Sequence, residues 1–180
     1  MRRTAAAAIV GSTLALASPA HAVEREHQLG VGVGPNVLVS SGATSIGAAV
    51  DAHYVYGITD QFNLLVEGSW ATVSFHGGSD ASHTRPSWLA TGDVGASYVL
   101  DVLRWVPYFG LLVGATTLSG GPLDRTKVLP DVSIAVGLDF RIDRAWSVGV
   151  AGREHLLLTE ESTYPSIIQV FARAEYTWGW

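Results

Sequence analysis

The chain has 180 residues, a formal net charge of −5, no cysteine, and 48% hydrophobic against 15% charged residues. Without cysteine there is no disulfide framework, thiolate metal site or cysteine nucleophile, and the acidic balance gives no support to nucleic-acid binding. Mean hydropathy is +0.26, yet beyond the N-terminus no stretch approaches the about 18 apolar residues of a membrane helix. A membrane protein without such helices must satisfy its backbone in a closed barrel.

Arg2 and Arg3, the small apolar run 5–17 and the triplet Ala20-His21-Ala22 form a secretory signal pattern, with an apolar stretch too short to span a bilayer. Cleavage is expected after Ala22, which makes 1–22 the signal, 23–27 a short N-terminal segment and 28–180 one barrel domain. From there the chain alternates apolar and small or polar residues with the period of two that marks a strand. The first strand, 28–39, puts Leu29, Val31 and Val33 outward and Gly30, Gly32 and Gly34 inward. The second, 46–56, has Ile46, Ala48, Val50, Ala52, Tyr54 and Tyr56 on one face. A turn at 57–61 leads to the third, 62–75, with Phe62, Leu64, Val66, Gly68 and Trp70 outward. The loop 76–86 is polar and longer. The fourth strand, 87–100, presents Trp88, Ala90, Val94, Ala96, Tyr98 and Leu100, and 101–105 turns the chain.

The fifth strand, 106–118, presents Pro107, Phe109, Leu111, Val113 and Ala115; the Gly- and Pro-rich loop 119–130 follows. The sixth, 131–141, presents Val132, Ile134, Val136, Leu138 and Phe140. After 142–145 the seventh, 146–158, presents Trp146, Val148 and Val150. Loop 159–165 leads to the last strand, 166–180, whose outer face runs Ile168, Val170, Ala172, Ala174, Tyr176, Trp178, Trp180. The expected fold is all-β, an eight-stranded antiparallel up-and-down transmembrane β-barrel with short turns at one end and longer loops at the other.

Charge and aromatic placement set lipid outside. Among the strand charges only Glu154 falls on the apolar phase, whereas a soluble barrel would reverse the faces. Tyr54, Tyr56, Phe62, Tyr98, Trp105, Tyr108, Phe109, Phe140, Trp146, Tyr176, Trp178 and Trp180 lie near a short turn or the C-terminus. Most of them are expected in one girdle at the periplasmic interface, with Trp70, Phe75 and Trp88 starting the opposite one.

Eight strands enclose a space that side chains can fill. Counted from the short turns, Asp51 and Glu67 face each other, Asp93 lies at similar depth, and Arg153 and Arg173 reach that level from the opposite wall. The expectation is a mid-barrel ion-pair cluster of Asp51, Glu67, Asp93, Arg153 and Arg173, in which the guanidinium groups relieve carboxylate repulsion. His53 and His155 also face inward, and Leu65, Leu89 and Leu112 fill space. His76, Asp80 and His83 share a loop, but their spacing and Gly/Ser-rich setting make a poor metal cage, so no metal or cofactor is expected.

The LGVGVG of the first strand, the turn YGITDQFNL, the segment WVPYFGLLVGAT and the terminal YTWGW resemble the small eight-stranded bacterial outer-membrane barrels of the OmpA transmembrane-domain, OmpX and OmpW superfamily. The resemblance spans the mature chain. It implies the outer membrane as destination, outer-membrane lipid as surroundings, and recognition of the C-terminal strand by the barrel-insertion machinery. It does not extend to a peptidoglycan-binding domain, and loops of about seven to twelve residues do not suit an extended adhesive edge. The function expected is a non-enzymatic structural or surface-interaction barrel with an ion-pair plug. The alternative is a narrow pore or small-molecule conduit of the OmpW type. A lipid-modifying enzyme is disfavoured, because His155 is followed by three leucines where the lipid A deacylases carry His-x-Ser. Ser82 beside His83 and Asp80, and Glu160, Glu161 and Ser162, sit in loops and read as solvated polar residues. No catalytic residue is expected.

Overall fold

The computed structural model describes residues 25–40, 43–77, 85–100, 104–159 and 162–179, with the side chains of 75–77 left aside. The expected signal 1–22, Asp80, Ser82, His83, Glu160, Glu161, Trp180 and the side chains of Phe75 and His76 lie outside the described residues.

Among the described residues nine strands form one antiparallel sheet: β1 (His27–Ser40), β2 (Ala43–Gly57), β3 (Phe62–Thr72), β4 (Phe75–Gly77), β5 (Trp88–Val99), β6 (Trp105–Ser119), β7 (Lys127–Arg141), β8 (Trp146–Leu157) and β9 (Ser166–Trp178). The order is β1-β9-β8-β7-β6-β5-β3-β2-β4, and pairing of β1 with β2 closes the ring. Because β3 and β4 are two lengths of one wall, the architecture is a closed eight-stranded barrel.

The wall breaks between β3 and β4 because the register slips there. Ala49 pairs with Ala71, but Ile46 pairs with Phe75, so the β3–β4 side carries one extra residue. This is a β-bulge, which bends a strand where it leaves the body of a sheet. Thr72 fills the disturbed ladder, its Oγ1 accepting from Ala48 N at 3.2 Å and donating to Ala48 O at 3.4 Å.

Two other boundaries differ from expectation. Ser40 pairs with Ala43, so the first outer connection is a tight hairpin rather than a loop from 40 to 45. Strand β7 begins at Lys127, not 131, with Pro130 inside it. The Pro130 carbonyl accepts from Leu158 N at 2.9 Å, so its missing donor faces β8 just where that strand has ended. A proline is tolerated where the ladder no longer needs its N–H.

Alternation holds round the whole ring. Outward Leu29, Val31, Val33, Val50, Leu111, Val113, Val136 and Val150 are all exposed, an apolar surface far too continuous for water and suited to hydrocarbon. Glu154 is exposed on that surface, between Ile134 and Ile168 on the flanking strands. Outward aromatics near the short turns touch in cross-strand pairs: Phe62 with Tyr98 at 5.2 Å, Trp105 with Phe140 at 4.9 Å, and Trp146 with Tyr176 at 5.2 Å between ring centroids. His27 stacks on Trp178 at 5.5 Å and lies 5.1 Å from Tyr56, and its Nδ1 is 2.6 Å from the Tyr54 hydroxyl. Such pairs stabilise a sheet rim beyond their buried area.

Candidate functional site

The interior is divided along its length. Toward the longer loops, Leu38, Leu89, Leu118, Leu129, Leu157, Ile167 and Phe171 pack together with Tyr164, which drops in from the loop before β9. Toward the turns a smaller apolar group, Val55, Leu65, Leu112 and Ala135, lines the wall. Buried charged side chains occupy the space that these groups leave.

The first polar cluster hangs from β9. Arg173 donates from Nε to Asp139 Oδ1 at 3.0 Å and from Nη2 to Asp139 Oδ2 at 2.6 Å, and its Nη2 is 2.9 Å from Glu175 Oε1. Glu175 Oε1 also meets His53 Nε2 at 2.8 Å and Glu175 Oε2 accepts from Ser147 Oγ at 2.9 Å, while His53 Nδ1 lies 2.8 Å from Asp51 Oδ2. Both ring nitrogens of His53 thus face a carboxylate oxygen. A neutral imidazole donates from one nitrogen only, so this geometry needs a second proton on the ring or on one of the acids.

The inward glycines of β1 make this cluster possible. A Cβ on Gly30 would stand 2.2 Å from His53 Nε2, and one on Gly32 only 2.0 Å from Asp51 Oδ1. The LGVGVG pattern is therefore the space into which β2 sends its charged side chains.

The second cluster crosses the bore. Arg153 on β8 donates from Nε to Glu67 Oε1 at 2.8 Å and Oε2 at 2.7 Å, and its Nη2 is 2.7 Å from Oε2. This forked contact joins strands on opposite walls, the geometry in which guanidinium matches carboxylate best. Tyr108 links the two clusters. Its hydroxyl accepts from Arg153 Nη1 at 3.1 Å, and its ring lies under the Arg173 guanidinium at 4.6 Å. That ring position requires Gly137 opposite, where a Cβ would sit 2.1 Å from the Tyr108 ring. A further contact spans the lumen from Ser69 Oγ to Gln169 Oε1 at 3.1 Å.

Beside the Arg153–Glu67 pair lie Asp93, Asp131 and His155. The His155 Nδ1 is 3.7 Å from Asp93 Oδ2 and 3.8 Å from Asp131 Oδ1. Thr116 Oγ1 donates a short hydrogen bond to Asp131 Oδ2, and Ser133 Oγ reaches Asp93 Oδ1 at 3.5 Å.

The five residues expected to meet at mid-barrel all face inward and are buried, but they do not form one cluster. Arg153 meets Glu67; Arg173 turns to Asp139 and Glu175 instead of Asp51, Glu67 or Asp93. Asp51 serves His53, and Asp93 faces His155. The turn between β2 and β3 is centred on Asp60 rather than Thr59, so Asp51 lies opposite Ser69, and Glu67 opposite His53. Thr59 sets that centre, its Oγ1 accepting from Phe62 N at 3.0 Å. Tyr108, near a short turn but on the phase opposite to the outward Pro107 and Phe109, points into the lumen.

No family model and no curated protein matches the sequence. Solved structures do match. Neisserial surface protein A superposes with a TM-score of 0.65 at 12% identity, covering 84% of this chain and 95% of that one. The chain has the fold of the small outer-membrane barrels. OprG, an outer membrane protein of Pseudomonas aeruginosa, gives a TM-score of 0.58 at 10% identity, over 87% of this chain and 97% of that one. Ail, the attachment invasion locus protein of Yersinia pestis, gives 0.55 at 12% identity, over 86% and 99%. At such identities the likeness extends to the eight-stranded transmembrane wall; the lumen side chains must be read from this chain alone.

Proposed function

We propose that this barrel resides in the bacterial outer membrane as a non-enzymatic structural or surface-interaction protein with a closed lumen. It arrives there after removal of 1–22, and the barrel-insertion machinery recognises β9. The short-turn rim, with its girdle of Tyr54, Tyr56, Phe62, Tyr98, Phe140, Trp146, Tyr176 and Trp178, faces the periplasm. The observation that carries the closed lumen is the forked Arg153–Glu67 contact across the bore, with a layer of leucines on its loop side. Neighbours in fold that include a surface protein and an attachment protein support a surface role. In planar bilayers the reconstituted chain gives no stepwise current; regular steps would sink this reading. An epitope placed at 122–125 is reached by antibody on intact cells, whereas periplasmic exposure of that loop would reverse the orientation.

A conduit reading has one observation in its favour. A cavity of about 30 Å³, room for a water or two, opens beside Asn63, Ser97, Tyr108, Arg141 and Arg173 on the turn side. If it is the mouth of a gated path, Arg153→Ala opens a current that the wild type lacks. Lipid A of unchanged mass after overexpression supports the non-enzymatic assignment, and a deacylated product would overturn it.

A further inference from the structure

We propose that Asp93, Asp131 and His155 form a binding site for one divalent transition-metal cation, of which zinc is the type, with Glu67 as the fourth donor. The site lies inside the barrel against the wall that runs from β5 through β6 and β7 to β8. It is independent of where the protein resides.

The first argument is geometric. Around a zinc ion with nitrogen and oxygen ligands at about 2.1 Å, tetrahedral neighbours stand about 3.4 Å apart. The His155 Nδ1 is 3.7 Å from Asp93 Oδ2 and 3.8 Å from Asp131 Oδ1, so a contraction of a few tenths of an ångström brings each oxygen to ligand spacing from the ring nitrogen. Glu67 offers a carboxylate oxygen within 4.8 Å of the donors on Asp93 and His155.

The second argument is the unused polar atoms. Asp93 Oδ2, Asp131 Oδ1 and both ring nitrogens of His155 are buried without a hydrogen-bond partner among the described residues, and the His155 side chain has no solvent exposure. Buried polar atoms in native proteins are almost always partnered. Here both orphaned oxygens stand within 3.8 Å of the orphaned Nδ1. The other oxygen of each aspartate is engaged by a hydroxyl, Thr116 for Asp131 and Ser133 for Asp93. That is how outer partners orient metal-binding carboxylates. Gly114 keeps the space open, since a Cβ there would fall 2.5 Å from Asp93 Oδ1.

The third argument is charge. Glu67, Asp93 and Asp131 are three carboxylates, and Arg153 is the guanidinium that meets them, through Glu67. With a neutral imidazole as ligand, two negative charges are left, which a divalent cation balances. Asp93 and Asp131 also lie within hydrogen-bonding reach of each other, and a proton shared between them would relieve their repulsion. It would leave both nitrogens of His155 unsatisfied, whereas a cation takes up both aspartate oxygens and Nδ1 and leaves only Nε2. The imidazole selects zinc and its first-row neighbours over magnesium or calcium.

The leucine layer bars easy entry from the loop side, so loading accompanies folding. The test refolds the full chain in detergent with excess zinc, passes it through a chelating column, and measures bound metal by elemental analysis. The wild type retains one zinc per chain. His155→Gln and Asp93→Asn lose it, and Thr116→Val, which removes only the hydroxyl behind Asp131, weakens binding by roughly 10-fold or more. His53→Gln keeps the metal, because that imidazole is committed to Asp51 and Glu175. Heat-dependent gel mobility establishes that each variant is folded. Should a variant fail to fold, cobalt-loaded wild type decides alone, through the visible absorption of a four-coordinate site. A wild type that emerges metal-free, or His155→Gln retaining as much zinc as the wild type, overturns the proposal.

Discussion

The two charged regions of the lumen are built from the same residue types and differ in how completely they are satisfied. Around Arg173, the guanidinium, the His53 ring and the acids Asp139, Glu175 and Asp51 form an unbroken chain of contacts from β7 to β2, all within 3.0 Å. Around His155, the nearest carboxylate oxygens stand at 3.7 and 3.8 Å and several buried atoms have no partner among the described residues. The first arrangement leaves only Asp51 Oδ1 without a partner among the described residues. The second holds the His155 ring off both aspartates, at a distance that suits a guest between them.

The largest effect comes from breaking the satisfied half. Arg173→Met leaves Asp139 and Glu175 buried without their cation and should cost about 3–5 kcal/mol of stability, measured by denaturant unfolding in detergent. A loss below about 1 kcal/mol would mean that water already screens that half. Adding bulk behind the same chain comes next. Gly32→Val drives a side chain into Asp51 and should cost about 1–3 kcal/mol; unchanged stability would show that the His53 arm can swing aside. A smaller effect sharpens the contrast from the other half. His155→Leu removes an imidazole whose nitrogens have no partners, so in metal-free protein it should be neutral or stabilising by about 1 kcal/mol, and a marked loss would reveal a partner for that ring. Smallest is Glu154→Leu on the lipid face, which should stabilise by about 1 kcal/mol or less so near the rim. The same unfolding measurement reads it, and destabilisation would place that carboxylate against a polar partner.

Which of these features could be read before the fold was known depends on distance along the chain. Alternation is local, so the inward placement of His53, Asp93, Arg153, His155 and Arg173 was visible residue by residue. Tyr108 was visible in the same way, by its phase between the outward Pro107 and Phe109. Strand ends were less legible, because Pro130 looks like a terminator unless one knows that β8 stops beside it. Partners across the lumen were legible only in part. The opposition of the third and seventh wall strands puts Arg153 before Glu67. Arg173 has a reachable acid on nearly every wall, and its choice of Asp139 and Glu175 depends on strand tilt and on the single-residue offset of the turn at Asp60. The convergence of Asp93, Asp131 and His155 had no signature, since their spacing follows no local metal motif.

The seam between β1 and β9 has a kinetic consequence. Every other wall joins segments that follow one another along the chain, but this one pairs His27 with Trp178. The His53–Glu175 contact depends on it, joining residues 122 positions apart. Contacts so distant in sequence form late, after the loop-closure entropy has been met. Ring closure and completion of the turn-side polar chain are therefore one event. A nascent chain lacking its last strand has an open sheet edge and a half-made charge network together, and the final strand removes both at once.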